Sequence, residues 1–255
     1  MSTILLFVRH AEVHNPRDVV YARLPRFGLS ARGREQAQRV AACLADVPLA
    51  AIYTSPLLRA RQTAAVIAAQ HPALRVQRSS LLLEIGTSWA GTPNKEVPKG
   101  TSFYVARRHE SDETVEDVLG RMQRLTRLLL RRHQGQIVAC VSHADPIAVL
   151  TLWAGGHEVT PKLLQEPHAP ARGAVTVFEY PDPYRATPDY LARPILHYFN
   201  PQDPEPEKPK DEQPAAAGEG QQAPAATDGA APSVDAERRN GTAAAEAAAA
   251  PEAST

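Results

Sequence analysis

The sequence is poor in cysteine, in aromatic residues and in long apolar runs. Its two cysteines, Cys43 and Cys140, supply neither a disulfide framework nor a zinc ligand set. A reducing, cytoplasmic setting is the expectation. No apolar stretch approaches the ~20 residues of a membrane span, so no membrane partner is expected. The run from Ile4 to Val8 is too short for a signal-peptide core, and no basic region precedes it.

Net charge is also missing, because 28 Lys plus Arg balance 28 Asp plus Glu over 255 residues. That zero is a cancellation. Residues 201–255 carry 11 acidic and 4 basic side chains, and Val234 is the only large apolar residue among them. Such a segment cannot offset its ordering entropy by burial, so a disordered acidic tail rich in Pro, Ala and Glu is expected over 201–255. The expected catalytic domain is 1–200, long enough for one sizeable core. It keeps the excess of basic residues and all nine histidines. A positive domain favours an anionic partner. Its basic residues are scattered, apart from pairs such as Arg107-Arg108 and Arg131-Arg132, which argues against nucleic acid.

What is present is an alternation of strand and helix patterns. TILLFV (3–8) reads as a strand buried on both faces. Ser30 is a plausible N-cap for a helix with Ala37, Val40, Ala41 and Leu44 at helical spacing. A short strand at 50–53 leads to Pro56, which suits the first turn of a second helix. A strand is expected at 74–76 and an amphipathic helix over 112–133, with Val115, Val118, Met122, Leu125 and Leu129 on one face. An apolar strand at 136–141 runs into a further helix, and late strands are expected at 174–180 and 194–200. This is the pattern of a three-layer α/β/α sandwich with a mostly parallel central sheet. Residues 85–112 have no sustained period and are expected as irregular chain that covers the site.

In parallel α/β sheets, ligands bind at the carboxyl ends of strands. Two apolar strands here end in histidine-bearing turns, VRHAE at His10 and VSHAD at His143. Arg9 precedes the first, and Arg59 lies on the helix that follows the 50–53 strand. Planar guanidinium donors match phosphate oxygens. The other histidines are expected to be structural or surface residues. His10 and His14 have an i, i+4 spacing that suits zinc, but Asn15-Pro16 breaks any helix there and no third ligand is evident. No metal and no cofactor are therefore expected.

These residues carry a resemblance. LLFVRHAE, LSARGREQA, TSPLLRARQTA and VSHADPI follow one another in order and resemble the motifs of the histidine phosphatase superfamily, also called phosphoglycerate mutase-like. The match runs over roughly residues 3–180, and VSHADPI resembles a bacterial subgroup of probable phosphoglycerate mutases or phosphatases. The resemblance implies that His10 is the nucleophile taking up the phosphoryl group, with Arg9, Arg59 and His143 holding its oxygens. It implies Glu84 as the proton donor, in LLLEIGTSWAG, although the interval from Glu84 to Trp89 is one residue shorter than the family pattern. Asn15 and Arg23 fall in segments that resemble a substrate-contacting loop. Ala11 and Ala144 stand where the family commonly has glycine.

The expectation is a metal-independent phosphomonoester hydrolase acting on a small phosphorylated substrate. The alternative is mutase-type phosphoryl transfer between substrate hydroxyls, which needs closure against water. The mutases carry a longer cap between the acid and the second histidine, and the interval from Glu84 to His143 here is short. A third reading is a non-catalytic phospholigand-binding protein, disfavoured because both histidines and both arginines are present. Lys95, Lys99, Arg107 and Arg108 are candidates for reading a second anionic group. The sequence leaves the oligomeric state open.

Overall fold

The apolar run near the N-terminus forms β1, Thr3–Arg9, inside a six-stranded sheet among the described residues of a computed structural model. Those residues are 1–99, 101, 104, 107, 109–161, 164, 169–181 and 191–202. The expected tail beyond Gln202 lies outside them, as does Arg108. Met1–Pro206 clusters as one unit.

The order of elements is β1, α1 (Ala31–Leu44), β2 (Leu49–Thr54), α2 (Leu58–Ala69), β3 (Val76–Arg78), α3 (Val115–Arg132), β4 (Ile137–Ser142), α4 (Ala144–Ala154), β5 (Val175–Tyr180) and β6 (Ile195–Phe199). Across the sheet the order is β3-β2-β4-β1-β5-β6. The pairs β3·β2, β2·β4 and β4·β1 are parallel, and β5 alone runs against its neighbours.

The strand pleat explains the three layers. Leu5 and Phe7 of β1 face α3 and α4, packing with Met122, Leu125, Ile147 and Leu150. Leu6 and Val8 face the other way, toward Val40, Ala41, Ala64 and Ile67 of α1 and α2. A strand between two helical layers must be apolar at every position, which is why TILLFV shows no alternation.

Ser30 caps α1, its hydroxyl accepting from Gly33 N at 2.9 Å. α3 starts three residues later than its periodicity suggests, because Thr114 and Asp117 close a capping box and set the start. Pro56 sits just outside α2, whose N-cap is Leu57. The expected 74–76 strand is displaced to Val76–Arg78, where the backbone pairs with the end of β2. Residues 79–99 are irregular, apart from 3-10 turns at Ser80–Leu82 and Asn94–Glu96.

Candidate active site

The carboxyl ends of β1, β2 and β4 deliver the site. Arg9 pairs with Ser142 in the parallel β1·β4 ladder, and His10 N donates to Ser142 O at 3.0 Å. The next residue on each strand is a histidine, so His10 and His143 stand side by side, their ring centroids 5.1 Å apart. Both are fully or almost fully buried. The end of β2 is tied in by Ser55 N, which donates to Val141 O at 2.9 Å, and Ser55 Oγ lies 2.8 Å from His143 Nε2.

The segment TSPLLRARQTA can be read residue by residue from its contacts. Arg59 is completely buried and its Nε donates to His10 Nε2 at 3.2 Å. One turn on, Thr63 Oγ1 accepts from Ala11 N at 3.2 Å and donates to Arg59 O at 2.9 Å. Gln62 Oε1 accepts from Leu29 N at 2.8 Å. Arg59 Nη2 donates to Ala22 O at 2.6 Å, and its guanidinium lies 4.7 Å from the centroid of the Tyr21 ring. Ala22 has φ of 28°, in the left-handed region that costs a non-glycine residue energy, and its carbonyl is Arg59's acceptor.

LSARGREQA holds the chain that follows His10. Ser30 Oγ donates to Glu12 Oε1 at 2.7 Å, and Glu12 N donates to Gln36 Oε1 at 2.9 Å. Gly33 packs against the same segment, so closely that an added Cβ would lie 2.0 Å from Glu12 O. Both sides of that contact are backbone and neither can rotate away. Gly33→Ala is therefore expected to cost about 3 kcal/mol and to lower Tm by roughly 6–12 °C, as read by thermal denaturation. An unchanged Tm would show that the loop yields freely. Ala11 and Ala144, in contrast, need no glycine: the described non-glycine residues with positive φ are Asp18, Ala22 and Arg26.

Electrostatics fix the state of the nucleophile candidate. Burial, followed by the charge of Arg59, pushes the His10 pKa well below its usual value, so the ring is neutral. The backbone carbonyl of Ala11, 2.8 Å from Nδ1, accepts that proton. Nε2 is then left with a lone pair. His143 is neutral for the same reasons, burial first and Arg59 second. Two guanidinium donors, Arg9 Nε and Arg59 Nη1, and the ring nitrogen His143 Nδ1 are buried with no hydrogen-bond partner among the described residues. Buried polar nitrogens without partners are costly and rare, and these belong to Arg9, Arg59 and His143, the neighbours of His10.

Glu84 Oε2 lies 4.0 Å from His143 Nδ1, and Glu84 Oε1 accepts from Ile85 N at 3.0 Å. Burial, aided by the neighbouring Asp145 carboxylate, raises the Glu84 pKa to about 7. Arg9, Tyr21, Ala22, Glu84, Thr87, Asn94, Ala144, Asp145 and Arg172 are among the residues lining a cavity of about 290 Å³. A larger cavity of about 390 Å³ lies over β5 and β6, but its lining has no Arg or Lys to hold an anion.

His10, Glu84 and His143 present ligand atoms within 4.8 Å of one another, close enough to chelate a metal ion. The charges beside them favour an anion: Arg59 already donates to His10 Nε2, and Arg9 lines the cavity with Glu84. His14 is exposed and takes no part in that cluster.

Asn15 and Arg23 have partners within the protein. The Asn15 amide bonds Val19 at both ends, donating to its carbonyl at 2.8 Å and accepting from its N–H at 3.2 Å. Arg23 donates from Nε to Glu84 O at 2.7 Å and pairs with Glu113 at 2.6 Å. Neither lines the cavity, and nor do the buried His10, Arg59 and His143. The Asn15 and Arg23 side chains hold the loop and the Glu84 backbone, work that a fit to a linear motif cannot separate from substrate contact. Lys95 and Lys99 do not line the cavity either, and Arg107 is paired with Asp117. Sequence reasoning missed Tyr21 as the partner of Arg59, Asp145 as the neighbour of Glu84, and Arg172. The Asp145 signal was present, two residues after His143. Arg172 had none.

A neutral imidazole, guanidinium donors and a buried carboxylic acid, at the carboxyl edge of an α/β/α sheet, suit an enzyme that handles phosphoryl groups. The chain matches the histidine phosphatase superfamily (branch 1) over residues 5–186 and belongs to that family. It is 38% identical over 156 residues to an uncharacterised protein of Mycobacterium tuberculosis, covering 58% of this chain and 77% of the relative. It is 32% identical over 155 residues to phosphoserine phosphatase 1 of Hydrogenobacter thermophilus, covering 57% and 73%. The structure of Bacillus stearothermophilus YhfR superposes with a TM-score of 0.63 at 25% identity, covering 71% of this chain and 92% of that one. Among the described residues, no helix is long and apolar enough to cross a membrane.

Proposed function

We propose that this chain is a metal-independent phosphomonoester hydrolase that forms a phosphohistidine on His10 and acts on a small phosphorylated metabolite. The observation that carries this reading is the neutral His10, whose Nε2 accepts from Arg59 Nε, together with the unpartnered buried nitrogens on Arg9, Arg59 and His143 around it. In the first step Nε2 attacks phosphorus and the bond to the leaving oxygen breaks. Glu84, protonated at neutral pH or below, gives its proton to that oxygen. In the second step water attacks phosphorus, Glu84 as carboxylate takes a proton from the water, and the N–P bond breaks. A pKa of about 7 suits both roles of Glu84. The donors spread the equatorial charge, each worth about 2.7–4 kcal/mol on the scale of an oxyanion donor. The related Hydrogenobacter protein is named a phosphatase, which favours water over a second substrate hydroxyl as the acceptor.

The test is to trap the intermediate. Rapid acid-free quench with labelled substrate and excess chelator is expected to leave an alkali-stable, acid-labile label on His10. Absence of label during turnover, or complete loss of turnover with chelator, would overturn the mechanism. With 3-phosphoglycerate and 2,3-bisphosphoglycerate, phosphate release is expected to outrun isomerisation; the reverse would make the enzyme a mutase.

A further inference from the structure

Arg172 is a cation at the site that the phosphoryl chemistry does not use. It belongs to the turn before β5, and it lines the cavity together with Arg9 and Glu84. Three hydrogen bonds fix that turn to the residue before the nucleophile. Arg9 Nη1 donates to Pro170 O at 2.6 Å, Arg9 N donates to Ala174 O at 3.1 Å, and Gly173 N donates to Arg9 O at 3.0 Å. The position of Arg172 relative to His10 is thus set by backbone, not by a flexible loop.

Its own side chain is loosely held. Its Nη1 lies 3.6 Å from Glu12 Oε2, longer than a hydrogen bond, and the side chain is 43% exposed. Glu12 is occupied at its other oxygen by Ser30 Oγ at 2.7 Å. A guanidinium has five N–H donors, so most of Arg172's capacity is unspent. The deep end of the site differs: Arg59 is completely buried and bonded to His10. The site therefore has one cation, Arg59, buried against His10, and another, Arg172, more solvated and lining the cavity beside Arg9 and Glu84. A phosphomonoester held at His10 with its leaving oxygen toward Glu84 places its organic part in the cavity that Glu84 and Arg172 both line.

We infer that Arg172 binds a second anionic group on the substrate, and so selects phosphomonoesters that carry a carboxylate or a second phosphate. This rests on the hydrolase reading for the placement of the phosphoryl group at His10.

3-Phosphoglycerate and glycerol 1-phosphate differ at one end, carboxylate against hydroxymethyl, and form a matched pair. Titration calorimetry on His10→Ala protein removes turnover from the measurement. Binding of 3-phosphoglycerate is expected to be about 10–100-fold tighter than that of glycerol 1-phosphate, the worth of a charge-assisted hydrogen-bonded pair. Adding Arg172→Gln should erase that preference and leave glycerol 1-phosphate within about twofold. Propane-1,3-diyl bisphosphate decides between the two anions, since the tighter ligand that loses more on Arg172→Gln is the group recognised. No preference in the first protein, or an equal loss for both ligands in the second, would overturn the inference. Turnover is scored separately on wild-type protein. A wild type that binds with the expected preference but releases no phosphate would sink the hydrolase reading while leaving Arg172 as an anion reader.

Discussion

His10→Ala is expected to reduce phosphate release from p-nitrophenyl phosphate to background, a loss of about a millionfold in kcat on the scale of a removed catalytic nucleophile. No other described group could take over. His143 Nε2 is engaged with Ser55, and its ring is the neighbour rather than the partner of Arg59 Nε. His14→Ala is the control: the side chain is exposed, and activity should stay within about twofold because surface substitutions are usually near neutral. Excess chelator should leave the wild type active. Retained activity in His10→Ala would remove the proposed mechanism, and so would complete inhibition by chelator, because the His10, Glu84 and His143 cluster would then be working as a metal site. A circular-dichroism melt of the variant separates lost chemistry from lost fold.

Glu84→Gln is expected to have the second largest effect, and its size should depend on the leaving group. An alkoxide needs a proton as it departs, so kcat on an alkyl phosphate should fall about 10²–10⁴-fold. p-Nitrophenolate leaves without one, so the loss of kcat/KM on that substrate should be much smaller. The pH dependence follows from the raised pKa. The protonated acid is the working form in the first step, so kcat/KM on an alkyl phosphate should fall as pH rises through about 7. Burial is the main cause of the raised value and the Asp145 carboxylate the next. Asp145→Asn removes the second, which should move the alkaline limb to lower pH. A limb that stays in place in Asp145→Asn, or equal losses on both substrates in Glu84→Gln, would take the proton-donor role from Glu84.

The layered fold could be read from local pattern. TILLFV has no polar position because β1 has helices on both faces, and the 3.6-residue period of α3 is the stripe that packs on Leu5 and Phe7. The nearness of the two histidines was also legible, since each ends an apolar strand and parallel neighbours end on the same side. Boundaries were less so. Asp112 opens the acidic approach to α3, but the capping box formed by Thr114 and Asp117 sets where the helix starts. The first residues of the 74–76 expectation lost out because β3 is defined by pairing with β2, not by its own apolarity.

By itself, then, the sequence determined the order of strands and helices, the two histidine turns and the arginines beside them, because each depends on residues close together in the chain. Tertiary structure alone decided three things. It brought the Asp145 carboxylate to Glu84, whose acidity depends on burial and on a charge from another element. It spent Asn15 and Arg23 on the backbones of Val19 and Glu84. It carried Arg172 back to the nucleophile through hydrogen bonds between Arg9 and the 170–174 turn. Burial, desolvation and pairing between segments far apart in the chain leave no periodic trace in a sequence; they exist only once the sheet has formed.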